Sequence, residues 1–271
     1  MGENENKDTN VKATIDAITG LVQAVPIYQD TLQPAAKQIG NSLETVTKTV
    51  NIALAPIKAL VWGYEKIEEF ISNRVAEKLK NIPPENITIP PTEIAGPAIE
   101  ALRFSGEDIN LRELYANLLA ASMDISSKDF VHPGFVEIIK NLASEEAILL
   151  QAFIENNTYP LIDIKGELTD NSGAITEYSN YSHLYKKVAI KKINQIPTYL
   201  NNLCRLGLIE IPQYIFLTAP NTYEPLENDI ALNGIKTTIE GRGNAKVKFE
   251  RKIVQLTSFG KQFVKNVVVE K

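Results

Sequence analysis

Hydrophobic residues recur every three or four positions over the first part of the chain. Across residues 11 to about 79, one apolar residue falls on each helical turn, which is the pattern of an amphipathic or coiled-coil helix. Pro34 and Pro56 interrupt this pattern, because proline lacks the N–H donor and clashes with the preceding turn. We therefore predict two or three amphipathic helices that form an N-terminal arm over residues 1–82.

A proline-rich linker follows the arm. Proline pairs at 83–84 and 90–91 predict an extended segment, because such pairs end helices. Helical spacing returns over residues 93–104, 111–123 and 133–142. The linker and these helices make a predicted central region, residues 83–143.

The pattern changes character after Ser144, which we predict to be the N-cap of a helix over 145–156. Gly207 is a predicted C-cap, because glycine commonly ends helices. The remaining predicted elements are strands at 161–164, 208–211 and 247–256 and helices at 190–206 and 258–267. Helices followed by a two-stranded ribbon indicate a winged-helix-like C-terminal domain over 144–271. The predicted fold is thus mainly α, with a C-terminal α+β part.

Residues 31–63 carry few charges for a helical segment. Among these 33 residues only Lys37, Glu44, Lys48 and Lys58 are charged, and the polar face consists of small uncharged side chains. Such a face suits close packing against other copies of the helix, or lining a watery path through lipid. The predicted membrane or assembly stripe consists of Leu32, Ile39, Leu43, Val46, Val50, Ala53, Leu54, Ile57, Leu60, Trp62 and Tyr64.

This stripe does not predict a permanent transmembrane helix. Its longest weakly charged run, residues 49–64, has 16 residues, fewer than the ~20 that span the hydrocarbon core. Trp62 and Tyr64 could lie at a lipid headgroup boundary, so a conditional insertion is predicted. The alternative is that the stripe packs against the rest of its own fold.

We predict a cytoplasmic protein that associates conditionally with the inner membrane. The hydrophobic fraction of 44% is enough for a core, and the single cysteine, Cys204, excludes an intrachain disulfide. The acidic, polar first residues lack the basic and apolar regions of a secretory signal.

The net charge of −5 is unevenly distributed. Residues 1–180 carry 14 Lys/Arg and 26 Asp/Glu, whereas residues 181–271 carry 14 and 7. A basic third can attract nucleic acid, anionic lipid or an acidic protein, or it can hold the two halves of the chain together. The basic cluster is formed by Lys186, Lys187, Lys191 and Lys192, which we predict on or beside the helix at 190–206. These lysines permit phosphate contacts, but the helix offers few side chains for reading bases.

Catalytic and metal-binding patterns are not evident in the sequence. His132 and His183 have no metal-ligand spacing to each other or to Cys204, which we predict to be buried and inert. The glycines in Gly241-Arg242-Gly243 predict a turn between two wing strands and not a phosphate-binding loop. We therefore predict no enzyme activity, no metal and no cofactor. The alternative is a hydrolase or nuclease, whose carboxylate cluster would be assembled only by the tertiary fold.

Several short segments resemble the bacterial abortive-infection alpha family. They are PAAKQIG (34–40), NIALAP (51–56), WGYE (62–65), IAGPA (94–98), LRELYANLL (111–119), HPGF (132–135), LGLI (206–209) with Leu203, and LTSFGKQF (256–263). The resemblance implies a bacterial or prophage-borne antiphage protein that shuts down or kills the infected cell. It implies no catalytic residues.

Two functional hypotheses follow. In the first, a phage protein binds the C-terminal half, the protein forms homo-oligomers, and the N-terminal helices permeabilise the inner membrane. In the second, the protein is a regulatory module that binds a phage protein or nucleic acid through its basic C-terminal domain and does not contact lipid.

Overall fold

The computed structural model describes residues 63–170 and 172–270, and these form two compact units. Unit 1 comprises residues 63–141 with Glu270, and unit 2 comprises residues 142–269. The arm up to Trp62 lies outside the described residues, so the three-part division of the chain stays a prediction. The mainly α fold with a C-terminal α+β part is confirmed.

Unit 1 is built from helices. They are α1 (Tyr64–Phe70), a π-helical turn (Ile71–Val75), α2 (Ala76–Leu79), a 3₁₀ turn (Pro84–Asn86), α3 (Thr92–Ser105), α4 (Ile109–Met123), a 3₁₀ turn (Lys128–Phe130) and α5 (Gly134–Lys140).

The first helical segment of unit 1 is anchored by one apolar face. Ile67, Ile71, Val75 and Leu79 lie four residues apart and are all buried, so the spacing places them on the same side of the helix. Burial of each side chain contributes about 1.5–3 kcal/mol. This part of the helical pattern predicted over residues 11 to about 79 therefore packs into the core of unit 1.

The proline-rich linker is extended at Pro83 and Pro91, as predicted, but a 3₁₀ turn (Pro84–Asn86) lies between them. Pro83 and Pro91 have ψ angles of 136° and 135°. Between them, the Thr88 N–H donates to the Met123 carbonyl at 2.7 Å, and Ile125 N–H donates to the Asn86 carbonyl at 2.9 Å. These bonds fasten the linker to the end of α4.

The helices of unit 1 begin close to the predicted positions. α4 starts two residues before the predicted Leu111, because the Asp108 carboxylate accepts hydrogen bonds from the N–H groups of Asn110 and Leu111 at 2.9 and 3.1 Å. This N-cap satisfies donors at the helix start that have no partner within the helix. α3 differs from its predicted bounds by one residue at each end.

Unit 2 combines helices with one sheet. Its elements are α6 (Ser144–Gln151), a 3₁₀ turn (Ala152–Ile154), β1 (Thr158–Leu168), β2 (Ala174–Tyr181), 3₁₀ turns (Leu184–Lys186 and Ile193–Gln195), α7 (Ile196–Arg205), β3 (Ile209–Glu210), α8 (Glu224–Glu227), a 3₁₀ turn (Ile230–Leu232), α9 (Asn233–Glu240), β4 (Ala245–Leu256), α10 (Ser258–Phe263) and a π-helical turn (Val264–Val268).

The sheet of unit 2 has four antiparallel strands in the order β2-β1-β4-β3. β1 pairs with β4 along its whole length, from Thr158 opposite Gln255 to Leu168 opposite Ala245. The prediction of a two-stranded ribbon was therefore wrong. β2 was not predicted because most of its side chains are exposed or half-buried, so its sequence lacks the alternation of hydrophobic and polar residues that indicates a strand. The winged-helix likeness itself stays a prediction.

The predicted helix at 190–206 is shorter than expected. α7 begins only at Ile196, with Pro197 in its first turn, where the missing N–H of proline costs no hydrogen bond. Its end is as predicted, since Gly207 has a φ of +71°. The Leu208 N–H then donates to the Leu203 carbonyl at 3.0 Å, which closes the last turn.

Gly260 lies against this helix end. A Cβ atom at Gly260 would come within 1.8 Å of the Leu208 carbonyl oxygen, so only glycine permits the contact. The Thr257 hydroxyl joins the same region by donating to the Gly207 carbonyl at 2.6 Å. Helix α10 is thereby held against the connection between α7 and β3.

Two local predictions in unit 2 were wrong. Ser144 is the first residue of α6 and not its N-cap, because the Glu146 carboxylate accepts from the Ala143 N–H at 2.8 Å and caps the helix one residue earlier. The Gly241–Gly243 turn joins α9 to β4, whereas we predicted a turn between two strands. No element was predicted at the position of helix α9.

Candidate functional site

Unit 2 contains a half-buried pair formed by His183 and Asp229. The His183 Nε2 atom lies 2.5 Å from the Asp229 Oδ2 atom, and the two side chains are 19% and 16% exposed. His183 immediately precedes the 3₁₀ turn Leu184–Lys186, and Asp229 immediately precedes the 3₁₀ turn Ile230–Leu232. A histidine oriented by a carboxylate can bind an anion or transfer a proton.

Asp229 is held as a carboxylate by its surroundings. Its Oδ1 atom accepts a hydrogen bond from the Ala231 N–H at 3.0 Å, which caps the 3₁₀ turn. This bond, together with the bond to His183, lowers the pKa of Asp229 to about 2 despite partial burial. Asp229 is therefore negatively charged at neutral pH, and it fixes the orientation of the His183 ring.

Lys186 and two tyrosines complete the surroundings of the ring. The Lys186 Nζ atom lies 3.2 Å from both ring nitrogens of His183 and 3.8 Å from Asp229 Oδ2. The rings of Tyr181 and Tyr185 contact the histidine edge-on, each with a centroid separation of 5.8 Å. Burial and the nearby Asp229 charge raise the pKa of Tyr181, so its hydroxyl stays neutral. We call these five residues the His183 cluster.

Of the four lysines in the predicted basic cluster, Lys186 lies against His183 and Asp229. Lys186, Lys187, Lys191 and Lys192 are all exposed, but they lie in a 3₁₀ turn and irregular segments and not on a helix. The helical placement predicted for Lys191 and Lys192 was wrong because α7 starts at Ile196. Only Lys186 contacts the His183 cluster. The backbone N–H of Lys191 donates to Glu145 at 3.0 Å.

Several cations of the basic third of the sequence form ion pairs within unit 2. The Lys252 ammonium contacts Asp163 at 2.7 Å, Arg242 contacts Glu177 at 2.5 Å, and Lys248 pairs with Glu167. In each pair the cation comes from the basic third of the sequence and the carboxylate from the acidic part. The uneven charge therefore holds these two parts of the chain together, which is one of the interpretations that the sequence left open.

A second charged group lies in unit 1. The Lys78 ammonium is buried and lies 3.2 Å from Glu113 and 3.5 Å from Glu270. The Arg74 guanidinium lies 2.9 Å from each of the same two carboxylates. We call these four residues the Lys78 cluster. Every charge in it faces an opposite charge, which is typical of a structural ion network.

Neither cluster was found from the sequence. His183 and Asp229 are 46 residues apart, and neither carries a local motif. Lys78 lies three residues after the buried Val75, at the edge of the apolar face, but a lysine at such an edge usually keeps its ammonium in water, so its burial was not predicted. In unit 2, the basic cluster of the sequence pointed to Lys186. It did not point to His183 or Asp229, which Lys186 contacts in the structure.

Only one residue of the predicted membrane or assembly stripe, Tyr64, lies within the described residues. Leu32, Ile39, Leu43, Val46, Val50, Ala53, Leu54, Ile57, Leu60 and Trp62 lie outside the described residues. Tyr64 is the first residue of α1. Within residues 63–170 and 172–270, no helix combines the length and apolar character needed to cross a bilayer.

The described residues include no metal-binding cluster, and the thiol of their cysteine is not activated. In the described part of the chain, no group of three or more histidine, cysteine, aspartate or glutamate side chains is arranged to hold a metal ion. Cys204 is half-buried, and burial raises the pKa of its thiol, which disfavours the reactive thiolate.

Comparison with known proteins identifies the family. The sequence model of the family described as abortive infection alpha matches residues 63–267, most of the chain, and the protein belongs to this family. No curated protein matches it. One similar solved structure is an uncharacterized protein from the hydrocarbon-degrading marine bacterium Alcanivorax borkumensis SK2. It is 18% identical, with a TM-score of 0.35, over 54% of this chain and 96% of that chain.

Proposed function

We propose that this protein is an abortive-infection effector that senses a phage component, assembles into oligomers and perturbs the inner membrane through its N-terminal helices. The observation that carries the defence role is membership of the abortive infection alpha family over residues 63–267. The charge-poor composition of residues 31–63 supports the membrane step, because uncharged polar residues are less costly to bury in lipid than charges. We propose no enzymatic activity for this effector.

The anchoring of α1 supports a division of labour between the arm and the rest of the chain. Ile67, Ile71 and Val75 fix the helix that directly follows the arm in the core of unit 1, and Arg74 fixes it further through Glu113. Gly63 precedes this anchored helix, and it is exposed with open space around its Cα. In our proposal, Gly63 is the pivot at which the arm is released while unit 1 stays folded.

The membrane step can be tested with a charge placed on either face of the arm. Leu54→Asp adds a carboxylate to the predicted stripe, whereas Asn51→Asp adds the same charge to the predicted polar face. Cells that carry each variant would be infected, and phage yield and membrane potential would be recorded together. We expect Leu54→Asp to abolish protection and depolarisation, and Asn51→Asp to preserve both.

The same experiment can contradict the proposal. Protection without any change of membrane potential in the unmodified protein would exclude the membrane step. Equal loss of protection in the two variants would show that the predicted stripe has no special role. Dye leakage from anionic liposomes, with the purified chain and phage lysate, provides an independent measurement.

The second candidate function is a module that binds a phage protein or nucleic acid and does not contact lipid. The exposed side chains of Lys187, Lys191 and Lys192 favour it, because their ammonium groups have no ion pair among residues 63–170 and 172–270. Binding by such a surface should weaken steeply with salt. Loss of protection in Lys187→Glu/Lys191→Glu, with unchanged membrane potential in infected cells, would favour this candidate over the first.

A further inference from the structure

We propose that the loop between β3 and α8 is a second membrane contact, which inserts three side chains into the headgroup region of a phospholipid bilayer. The loop comprises residues 211–223, and we call Tyr214, Ile215 and Phe216 its apolar tip. This contact goes beyond the function proposed above, because it lies in unit 2 and does not involve the N-terminal arm. It rests on the proposed function only in that the protein meets a membrane.

The apolar tip is a contiguous exposed patch. The side chains of Tyr214, Ile215 and Phe216 are 89%, 49% and 52% exposed. The other large hydrophobic side chains that are exposed within residues 63–170 and 172–270 stand singly along the chain. Single exposed apolar side chains are ordinary on a protein surface, whereas a contiguous apolar patch marks a contact site. The tip is therefore the part of unit 2 that calls for an apolar partner.

The backbone keeps the tip in solvent. Leu217, the residue that follows the tip, packs against the apolar core of unit 2. Tyr214 has a φ of +62°, in the left-handed region that residues other than glycine seldom adopt. Such strained residues persist only where the surrounding structure fixes them, and they are concentrated at ligand contacts. The loop thus buries Leu217 and leaves the three residues before it available to a partner.

The loop is anchored at its base by Tyr223, which is 3% exposed. The Tyr223 hydroxyl accepts a hydrogen bond from the Leu217 N–H at 3.0 Å and donates one to the Lys252 carbonyl at 2.8 Å. The Arg251 guanidinium carbon lies 5.3 Å from the centroid of the tyrosine ring. Because these contacts already order the segment after the tip, binding of the tip does not have to order it, which lowers the entropic cost of binding.

The distribution of charge around the tip favours lipid over a protein partner. Residues 211–223 contain no charged side chain. The charged residues that contact Tyr223 are already paired, Lys252 with Asp163 at 2.7 Å and Arg251 with Glu227 at 2.7 Å. Protein interfaces usually surround an apolar centre with a polar rim that makes its own contacts. An uncharged loop that carries tyrosine suits the membrane–water boundary instead, since it has no charge to desolvate there.

The contact should be shallow and weak. An irregular loop cannot enter the hydrocarbon core, because its backbone groups need water, which the headgroup region retains. Three side chains at this depth give a reversible contact, as a single myristoyl chain does, and stable anchoring needs a second signal. In our proposal the arm or a second protomer supplies that signal. Glu210 and Glu224 lie next to the uncharged run, so the tip itself should not require anionic lipid.

Tryptophan fluorescence can test the contact, because the chain has one tryptophan, Trp62. In a full chain that carries Trp62→Phe, the variant Phe216→Trp reports on the tip. Ile230→Trp is the control, since Ile230 is 81% exposed but follows the charged Asp229. Emission would be recorded with vesicles of phosphatidylcholine, with and without phosphatidylglycerol, and with the same lipids brominated on their acyl chains. We expect a blue shift and quenching by brominated lipid for Phe216→Trp with both compositions, and neither for Ile230→Trp.

Three outcomes of this measurement would overturn the proposal. The first is the same emission of Phe216→Trp with and without vesicles. The second is a blue shift that appears without lipid and increases with protein concentration, which would identify a second copy of the chain as the partner. The third is a response confined to vesicles with phosphatidylglycerol, which would indicate attraction by lysines and not by the tip. Addition of Leu54→Asp should leave the Phe216→Trp response unchanged, so a failure of the arm and a failure of the tip can be told apart.

A charge placed in the loop tests the tip on the otherwise unmodified chain. Phe216→Asp should lower the partition coefficient into phosphatidylcholine vesicles about tenfold, since it removes one of the three inserted side chains. Asn221→Asp is the matched control, because Asn221 is exposed in the same loop and aspartate tolerates its φ of +61°. This control should change partition less than about twofold. Equal losses in the two variants, both shown to be folded by urea denaturation, would contradict the role of the tip.

Discussion

The two charged clusters use similar side chains in opposite surroundings. In unit 1, the Lys78 side chain is 1% exposed and lies between Glu113 and Glu270. In unit 2, Lys186 is half-exposed and lies against His183 and Asp229. A buried charge must keep its partners, because water cannot replace them. An exposed charge can exchange its partner for water, so we expect only the first cluster to be needed for folding.

The Glu113→Gln variant should give the largest effect in this comparison. It removes the carboxylate that contacts both Arg74 and Lys78, and it leaves the buried ammonium with only Glu270 at 3.5 Å. We expect a loss of about 2–3 kcal/mol in the free energy of unfolding, measured by urea denaturation. Glu107→Gln is the control, since its pair with Lys66 is exposed and should contribute less than about 1 kcal/mol. Equal losses in the two variants would contradict a structural role for the Lys78 cluster.

The Lys78→Met variant should be less harmful than Glu113→Gln. Methionine has a similar length and fills the same buried position, and the half-exposed Glu113 keeps its pair with Arg74. Replacing a buried cation with a hydrophobic side chain therefore avoids the penalty of leaving that cation unpaired. We expect a loss of about 1 kcal/mol. A loss larger than that of Glu113→Gln in the same urea series would show that the ammonium itself stabilises the fold.

The Asp229→Asn variant should reveal the pH dependence of the His183 cluster. Because the pKa of Asp229 is lowered from 3.8 to about 2, the charged form stabilises the fold. This contribution is fully present above pH about 4 and is lost as the pH falls through about 2. Allowing for screening at a partly exposed site, we expect about 1 kcal/mol at pH 6. The difference between the variant and the unmodified protein should shrink between about pH 4 and pH 2, and a constant difference would contradict this origin.

The Lys186→Ala variant should have the smallest effect on stability. Its ammonium is half-exposed, so the loss in the free energy of unfolding should be below about 0.5 kcal/mol. Thermal unfolding of this variant beside Lys78→Ala compares the same truncation in the two clusters. If Lys186→Ala unfolds at the lower temperature, the structural role assigned to the Lys78 cluster is contradicted.

Local sequence signals predicted much of the helical fold. The helical spacing of Ile67, Ile71 and Leu79 was predicted from the sequence. So were the extended backbone at the proline pairs and the end of α7 at Gly207. These features depend on backbone chemistry and on periodicity within a few residues. β2 was missed because its side chains are mostly exposed or half-buried. The start of α7 was placed too early because Pro197, which marks the first turn of a helix, was not used.

The sequence by itself determined the family, the helical periodicity and the uneven charge of this protein, because each is carried by neighbouring residues or by composition. The tertiary structure decided which charges meet. It buried Lys78 and brought His183 to Asp229 across 46 residues. It also paired the cations of β4 with acidic residues on β1. Such contacts are set by how the sheet and helices pack, and no spacing along the chain records them.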